Sequence, residues 1–540
     1  VTVGRHGVHS SIADGRLRIG RVTLENDATV GANAVLAGPC TVEHHAVLRA
    51  QSLLAEGQTV PAREVWSGSP SAKIKTANDP ALETMMECDK APREWSYDLR
   101  RKFAFGIAFL EFLPMLAMLP IVALVWLVML AYEDGTALIV TLFTGPAFVL
   151  TACALILWFR RFALQKTPVG VHHLRSELGV EKWFGDKLLE ASLGLTNQLY
   201  GTMYTAHWLR ALGAHVGKDS EIATIANIDP DLLTLGDGTF VADMASIGSA
   251  TYSNGHVAFR RTVVEDRAFV GNASFVPSGT RMGGDSLLGV LSTPPVRGVG
   301  KGTSWLGNPA IFLPKREVFE EFTEETTFAP PRWKVTLRYF VEFFRVVLPP
   351  TILGLSTFGT LWVIAMLSRT WPMWAIILIS AVVALAGSLA VTLVVALMKW
   401  MLLGRYKTRV EPLWGNFVRR TEFMTGVFET TAVPALLSLV SGTPMLGPLL
   451  RLFGAKVGRR TLIDTTYLTE FDLVRIGDDV TVGTDVSLQT HLFEDRVMKM
   501  GEVHLESGSS VSSRAVVLYG ATVGEDTRVQ PLTLIMKGES

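Results

Sequence analysis

Aliphatic residues that recur every six positions constrain the fold of this chain more than any other feature of its sequence. They fall in three segments: Leu24, Val30, Leu36, Val42, Leu48, Leu54 and Val60; Val264, Val270, Val276, Met282 and Leu288; and Leu505, Val511, Val517, Val523, Val529 and Ile535. An α-helix has a period near 3.6 and an ordinary strand a period of 2, so neither explains the pattern. A six-residue period is typical of a parallel β-helix, in which three hexapeptides complete one coil.

The chain also repeats itself on a longer scale. A shift of 241 residues, from Gly201 to Gly442, places "LRALGAHVG" on "LRLFGAKVG" and "NIDPDLLTLGD" on "LTEFDLVRIGD". We therefore predict three β-helix units, at residues 1–75 (truncated), 195–315 and 436–540.

Four long apolar runs lie between these units, at residues 112–132, 136–159, 346–367 and 371–398. Each is about as long as a helix that crosses a bilayer. They predict two transmembrane hairpins, at residues 100–168 and 335–408. Lysines and arginines flank the hairpins on the side of the long segments, which favours a cytoplasmic location for all three units. The predicted fold class is a multi-domain membrane protein in which left-handed parallel β-helices alternate with transmembrane helical hairpins.

The composition argues against several functions. The 50 basic residues balance 50 acidic ones, so the net charge gives no support to a nucleic-acid partner. Cys40, Cys88 and Cys153 are too far apart for a zinc motif or a disulfide framework, and we expect no metal site. The sequence begins with valine and lacks a signal peptide, so we interpret it as part of a larger protein.

One motif suggests a carrier domain. Residues 282–289, "MGGDSLLG", resemble the Gly-Gly-x-Ser site at which carrier proteins hold phosphopantetheine. The 241-residue shift, however, places Ser286 on Thr527, an ordinary small-residue position of a hexapeptide. Ser286 is therefore predicted to be a turn residue of a β-helix.

Two insertions that interrupt the repeat carry candidate catalytic residues. The third unit has "QTHLFEDRVMKMGEV" and the first has "GVHSSIADGRLRIGRV", each with a histidine followed by an acid and an arginine. These insertions resemble the loop of hexapeptide-repeat acyltransferases, whose histidine takes a proton from the attacking nucleophile. His491 and His9 are the candidate bases, and Asp495 and Asp14 are the carboxylates that could fix their tautomers. The alternative is that these histidines only hydrogen-bond a long loop.

The second unit departs from this pattern. Ala250 stands where the third unit has His491, and its own histidine, His256, follows six positions later. Either His256 reaches the same place by another path or this unit has lost its chemistry.

An acidic pair recurs in the last two units, as Asp229 with Asp231 and Glu470 with Asp472. If each pair lies on a strand, its two carboxylates face the same way and could hold a cationic acceptor such as an amino acid or polyamine. The alternative is that they cap turns.

The whole arrangement resembles the C-terminal half of membrane-bound homopoly(amino acid) synthetases, the ε-poly-lysine synthetase type of non-ribosomal peptide synthetase. The segments "SWLGNPAIFLPKR", "TEFDLVRIGDDVTVG" and "THLFEDRVMKMGEV" carry this resemblance. It implies upstream adenylation and carrier domains that use ATP and Mg²⁺ and hold an amino acid as a phosphopantetheine thioester. These units would then form the amide bond, with no cofactor of their own.

The resemblance to trimeric transferases further implies that the three units form an internal pseudo-trimer on a base in the membrane lipid. Two other functions stay open. One is a membrane O- or N-acyltransferase that uses acyl-CoA to modify an envelope polymer, and the other is a non-catalytic scaffold that docks partners.

Overall fold

A computed structural model describes residues 2–539 of the 540-residue chain, apart from residues 4–6, 10, 14–15, 75–79, 89–93, 132–133, 227 and 315–321. For residues 2–16 only the backbone is described, as it is for Met129, Ala131, 134–135, Ala137 and Ala226.

Short parallel strands stack in ladders in each repetitive segment. In the first segment Thr29 pairs with Val47 and Val47 with Val65, an offset of 18 residues or three hexapeptides. The periodic aliphatic residues are buried between the ladders, and Leu36, Leu48 and Leu54 have no exposed surface. The predicted six-residue period is thus confirmed as the repeat of stacked parallel strands.

We call the three stacks unit 1, unit 2 and unit 3. The strands of unit 1 are Thr2–Val3, Gly7–His9, Ser11–Ala13, Arg16–Arg18, Val22–Leu24, Thr29–Val30, Val35–Ala37, Cys40–Val42, Val47–Leu48, Leu53–Leu54, Thr59–Val60, Val65–Ser67 and Ala72–Ile74. Those of unit 2 are Gly170–His173, His215–Val216, Glu221–Ile222, Ile225–Ala226, Leu233–Leu235, Phe240–Val241, Ala245–Ser249, Thr251–Ser253, His256–Phe259, Thr262–Val264, Phe269–Val270, Phe275–Pro277, Arg281–Met282, Leu287–Leu288, Ser304–Leu306 and Ile311–Leu313. Those of unit 3 are Arg409–Pro412, Lys456–Val457, Leu462–Ile463, Val474–Ile476, Thr481–Val482, Ser487–Gln489, His491–Glu494, Val497–Met500, Val503–Leu505, Ser510–Val511, Val516–Leu518, Thr522–Val523, Arg528–Val529 and Leu534–Ile535.

Each predicted insertion folds as a two-stranded antiparallel ribbon. In unit 3, His491–Glu494 pairs with Val497–Met500, and Arg409–Pro412 adds a third strand. We call these two strands with their turn the unit 3 ribbon. The insertion lengthens one coil, so that Arg475 pairs with His504, 29 residues away, instead of with a residue 18 away.

Four helices of the described chain are long and apolar enough to cross a membrane: Tyr97–Val128 within helix Tyr97–Ala131, Thr144–Phe162, Arg332–Ser368 and Met373–Leu402. The second apolar run is interrupted, because a separate helix Asp134–Thr141 precedes Thr144–Phe162. Pro146 lies in the first turn of the latter helix, where a missing backbone N–H is tolerated. Helix Arg332–Ser368 begins well before the predicted apolar run at 346.

Shorter helices connect the membrane hairpins to the units. They are Pro80–Glu87, Glu177–Leu195, Met203–Leu212, Asn416–Val427, Ser438–Val440 and Leu446–Phe453, with a π-helix at Phe428–Leu437 and 3-10 turns at Asn197–Leu199, Pro230–Leu232, Glu324–Thr326 and Phe471–Leu473. Helices Met203–Leu212 and Leu446–Phe453 correspond under the 241-residue shift, and each ends at a left-handed glycine before the first coil of its unit.

The three units touch one another. A cluster of buried side chains draws members from all of them: Val35 and Leu53, Val290 and Leu291, and Val516, Leu518 and Leu532. The unit 3 ribbon lies against unit 2, where Phe493 packs on Phe240 with ring centroids 5.7 Å apart. The corresponding ribbon of unit 2 is formed by Thr251–Ser253 and His256–Phe259. It lies against unit 1, since Ala258 packs in one cluster with Val47 and Val65.

Candidate functional site

A cleft of about 130 Å³ lies between unit 2, unit 3 and the helices next to the membrane hairpins. We call it the shared cleft; it is lined by Asp243 and Asn272 of unit 2, Gln489 and His491 of unit 3, Arg345 of the membrane helix Arg332–Ser368, and Glu422 and Glu429 of the helices that follow the second hairpin. No single unit forms this site, because unit 2 and unit 3 each contribute only part of its lining.

His491 is fixed in the cleft by a buried carboxylate. Its Nδ1 lies 2.8 Å from Oε2 of Glu470, which has only 1% of its surface exposed. The same oxygen accepts hydrogen bonds from Thr490 at 2.7 Å and Thr469 at 2.6 Å. An ionised carboxylate only accepts, so Nδ1 carries the hydrogen and Nε2 keeps its lone pair. This is the tautomer that a general base requires.

The local backbone explains how Glu470 reaches His491. Glu470 has a left-handed φ of 38° and precedes the 3-10 turn Phe471–Leu473. Phe471 packs into the aromatic core against Phe428 and Phe453. The buried ring anchors the turn, and the strained residue before it directs its carboxylate to the ribbon.

The two groups shift each other's pKa. Burial alone would lower the pKa of His491, but the Glu470 carboxylate outweighs it and raises that pKa above its ordinary value. Burial alone would raise the pKa of Glu470, yet charge and hydrogen bonding from His491 lower it. The imidazole is therefore a stronger base than a free histidine, and Glu470 stays ionised.

The other wall of the cleft is rich in acids. Burial raises the pKa of Glu422 to about 7 against the opposing charge of Arg338. Burial, followed by repulsion from Asp243, raises the pKa of Glu429 to about 7. The guanidinium of Arg338 is shared among three carboxylates, since it also pairs at 2.8 Å with both Glu221 and Glu342.

The other candidate residues of the insertions are Asp495 in unit 3 and His9 and Asp14 in unit 1. Asp495 lies in the turn of the unit 3 ribbon with a φ of 49°, at the opposite end of the strand from His491. At about 3.3 Å per residue that strand separates them by roughly 13 Å, so the carboxylate on Nδ1 is Glu470 and not Asp495. His9 ends strand Gly7–His9, but its side chain and all of Asp14 lie outside the described residues.

The acidic pairs do not lie on strands, which corrects the sequence-based expectation. Pro230–Leu232 and Phe471–Leu473 are 3-10 turns, so the two carboxylates of each pair diverge. Asp472 binds Lys399 at 2.6 Å and Asp231 binds Arg160 at 2.6 Å. These two acids tie the ends of the membrane helices to the units.

In unit 2 the counterpart of Glu470 binds a lysine instead of a histidine. Asp229, the counterpart of Glu470, binds Nζ of Lys182 at 2.6 Å, and Asp186 binds the same ammonium at 2.7 Å. His256 does not reach this group: it is 3% exposed, its Nδ1 bonds the Asn254 carbonyl, and its ring lies 4.6 Å from that of His173.

Sequence reasoning missed Glu429 and Asp243. Glu429 lies in a π-helix within a segment that we had not assigned to any unit, and Asp243 follows an ordinary hexapeptide strand. No local motif marks either residue. Among the described residues, no group of three or more His, Cys, Asp or Glu side chains is placed to hold a metal ion.

Comparison with known proteins supports the resemblance to homopoly(amino acid) synthetases. The chain is 33% identical, over 98% of its length, to the delta-poly-L-ornithine synthetase of Acinetobacter baumannii strain AB307-0294. It spans 41% of the length of that protein. A 79-residue stretch, 15% of this chain and 25% of the relative, is 37% identical to mitochondrial gamma carbonic anhydrase 2 of Arabidopsis thaliana. No family model matches the chain.

Proposed function

We propose that the shared cleft joins an amine to a carrier-bound aminoacyl thioester, with His491 as the general base. The observation that carries this proposal is the Glu470–His491 pair, which presents Nε2 to a cleft between two units. A general base with a pKa near the working pH is effective in removing a proton from an attacking amine.

The proposed step balances as follows. The lone pair of the neutral amine attacks the thioester carbonyl, and the new C–N bond replaces the C–S bond. His491 Nε2 takes a proton from the attacking nitrogen and returns it to the departing sulfur, which leaves as a thiol. Glu470 stabilises the imidazolium that exists between the two transfers.

The wider setting of this reaction is part of the same proposal. The chain is the C-terminal part of a synthetase of the poly-lysine or poly-ornithine type, whose upstream adenylation and carrier domains deliver the phosphopantetheine thioester. Its units are left-handed β-helices arranged as an internal pseudo-trimer, a view supported by the cluster to which all three contribute. Four helices cross the cytoplasmic membrane and leave the units on the cytoplasmic side, which the lysines and arginines at the hairpin ends favour.

Substitution of His491 in the full-length synthetase tests the proposal. His491→Ala is expected to abolish polymer formation while the carrier is still loaded with amino acid, because adenylation and loading occur upstream. His504→Ala is the matched control, since His504 lies in a regular coil of the same unit. Normal polymer formation by a folded His491→Ala protein would refute the assignment and leave the scaffold function standing. Transfer from free acyl-CoA without a loaded carrier would favour the acyltransferase alternative.

A further inference from the structure

Most carboxylates around the shared cleft already have a cation of the protein. Glu221, Glu342 and Glu422 surround Arg338, while Glu470 is bound to His491. In the described part of the chain, no ion pair joins a protein cation to Glu429 or Asp243. These two acids, one from the π-helix and one from unit 2, both line the cleft that holds His491.

Glu429 is half-buried and occupies the second position of the π-helix Phe428–Leu437. Single-turn π-helical insertions are often found at functional sites, and this one extends over ten residues. The charged groups that act on Glu429 are Asp243, Arg345, His491 and Glu470. Arg345 lies in the same cleft and its charge lowers the pKa of Glu429, but it makes no ion pair with Glu429 among the described residues, and its Nη1 donates to the Gly201 carbonyl at 2.6 Å.

Asp243 lies at the exposed rim of the cleft. Its Oδ1 accepts from the backbone N–H and the hydroxyl of Thr224, both at 3.3 Å. The proximity of Asp243 raises the pKa of both Glu429 and His491. Its charge therefore extends over the interior of the cleft, where a bound cation would be attracted by both acids.

We propose that Glu429 and Asp243 bind the second, charged amino group of the acceptor while its first amine attacks the thioester beside His491. This inference rests on the proposed function and adds the selection of acceptors that carry two amines. An ammonium held by Glu429 replaces the repulsion between two carboxylates with attraction, and Asp243 at the rim guides the cation inward.

The acceptor preference can be measured with two amines of equal chain length. The full-length synthetase, with its carrier loaded, is offered 1,5-diaminopentane or 1-aminopentane, and formation of the aminoacyl amide is followed. Glu429→Gln is expected to raise the KM for the diamine, relative to the KM for the monoamine, by about ten- to a hundredfold, because only the diamine carries a second ammonium. Asp243→Asn should give a smaller increase that disappears at high salt, because this carboxylate is exposed.

Glu422→Gln is the comparison variant, because Glu422 lines the same cleft but already has Arg338 as a partner. It should change the diamine preference much less than Glu429→Gln. The pH dependence gives a second readout. In the wild-type protein the diamine preference should rise as Glu429 ionises near pH 7, and Glu429→Gln should remove that rise.

The outcomes separate this inference from the proposed function. If Glu429→Gln changes the KM values of both amines equally, or of neither, the ammonium site is refuted even where His491→Ala abolishes the reaction. If His491→Ala retains activity while Glu429→Gln still removes the diamine preference, the base is misassigned but the ammonium site stands.

Discussion

Glu470 and Asp229 occupy corresponding positions in two units, and each binds a basic side chain. In unit 3 that side chain is the imidazole of His491, which can both accept and release a proton. In unit 2 it is Lys182, whose pKa is raised because two carboxylates outweigh the effect of burial. Unit 2 thus keeps the carboxylate of the site but has an ammonium that stays protonated, which favours a structural role for this position.

The first residue-scale prediction concerns Glu470→Gln. Loss of the carboxylate should lower the pKa of His491, so the acid limb of the rate profile should move to lower pH while kcat falls about ten- to a hundredfold. The measurement is kcat/KM against pH with a small amine acceptor, with the exposed Glu502→Gln as control. An unchanged acid limb would contradict the pairing.

The same variant has a stability signature. Because the pKa of Glu470 is lowered by folding, its contribution to stability is present above the pKa of the unfolded state and lost as pH falls through the folded value. Folding raises the pKa of His491, so its contribution has the opposite sign: it is complete below the unfolded pKa and is lost as pH rises through the folded value. The melting temperature of Glu470→Gln should therefore depend less on pH than that of the wild type. This should hold at acidic pH, where Glu470 is protonated, and at higher pH, where His491 loses its proton.

Lys182→Met should destabilise the protein strongly without removing the base of the shared cleft. It leaves the buried Asp229 without its cation, and the loss of one partner of a buried pair costs about 3–5 kcal/mol. Lys187→Met on the same helix is the matched control, because Lys187 is half-exposed and pairs with Glu190 at the surface. Thermal unfolding in detergent measures the difference; equal melting temperatures for the two variants would contradict the structural role.

At the scale of elements, the sequence predicted the coils well because a six-residue period has few structural explanations. It located the insertions as breaks in that period, yet it did not show that they fold as ribbons against a neighbouring unit. The acidic pairs were misplaced on strands, because a spacing of two residues does not reveal that Phe471 anchors a 3-10 turn. The π-helix has no repeat or motif from which it could have been predicted.

Arg496→Ala tests the docking of the unit 3 ribbon. Arg496 is 4% exposed, and its Nη2 donates to the Asp219 carbonyl of unit 2 at 2.6 Å. Loss of this charged hydrogen bond should cost about 1.5–3 kcal/mol and raise the KM for the acceptor, because His491 begins the same ribbon. Arg460→Ala, which removes an exposed pair with Asp479, should cost much less, because solvent screens that pair. Equal losses of stability in the two variants would contradict a docked ribbon.

At the scale of the whole molecule, the duplication was visible from the 241-residue shift and an internal pseudo-trimer was expected, whereas the residues that join the units could not be read from the sequence. Leu53→Asp tests them, because Leu53 is 4% exposed in the cluster shared by the three units. An unpaired charge there should lower the melting temperature and displace unit 1 in single-particle images. Val296→Asp, at a residue with 57% exposure, is the control. Unchanged images of a stable Leu53→Asp protein would show that the cluster does not hold the units together.

The docking of the unit 2 and unit 3 ribbons on the preceding unit limits how such a chain can evolve. A hairpin with its β-helix is the segment that was copied, but the proposed site takes its base, His491, from one copy and its rim acid, Asp243, from another. A copy therefore cannot change its substrate alone, because half of the determinants belong to its neighbour. A new specificity of the proposed site would need paired changes on both sides of the shared cleft. A single unit transplanted into another protein would bring only one side of that cleft.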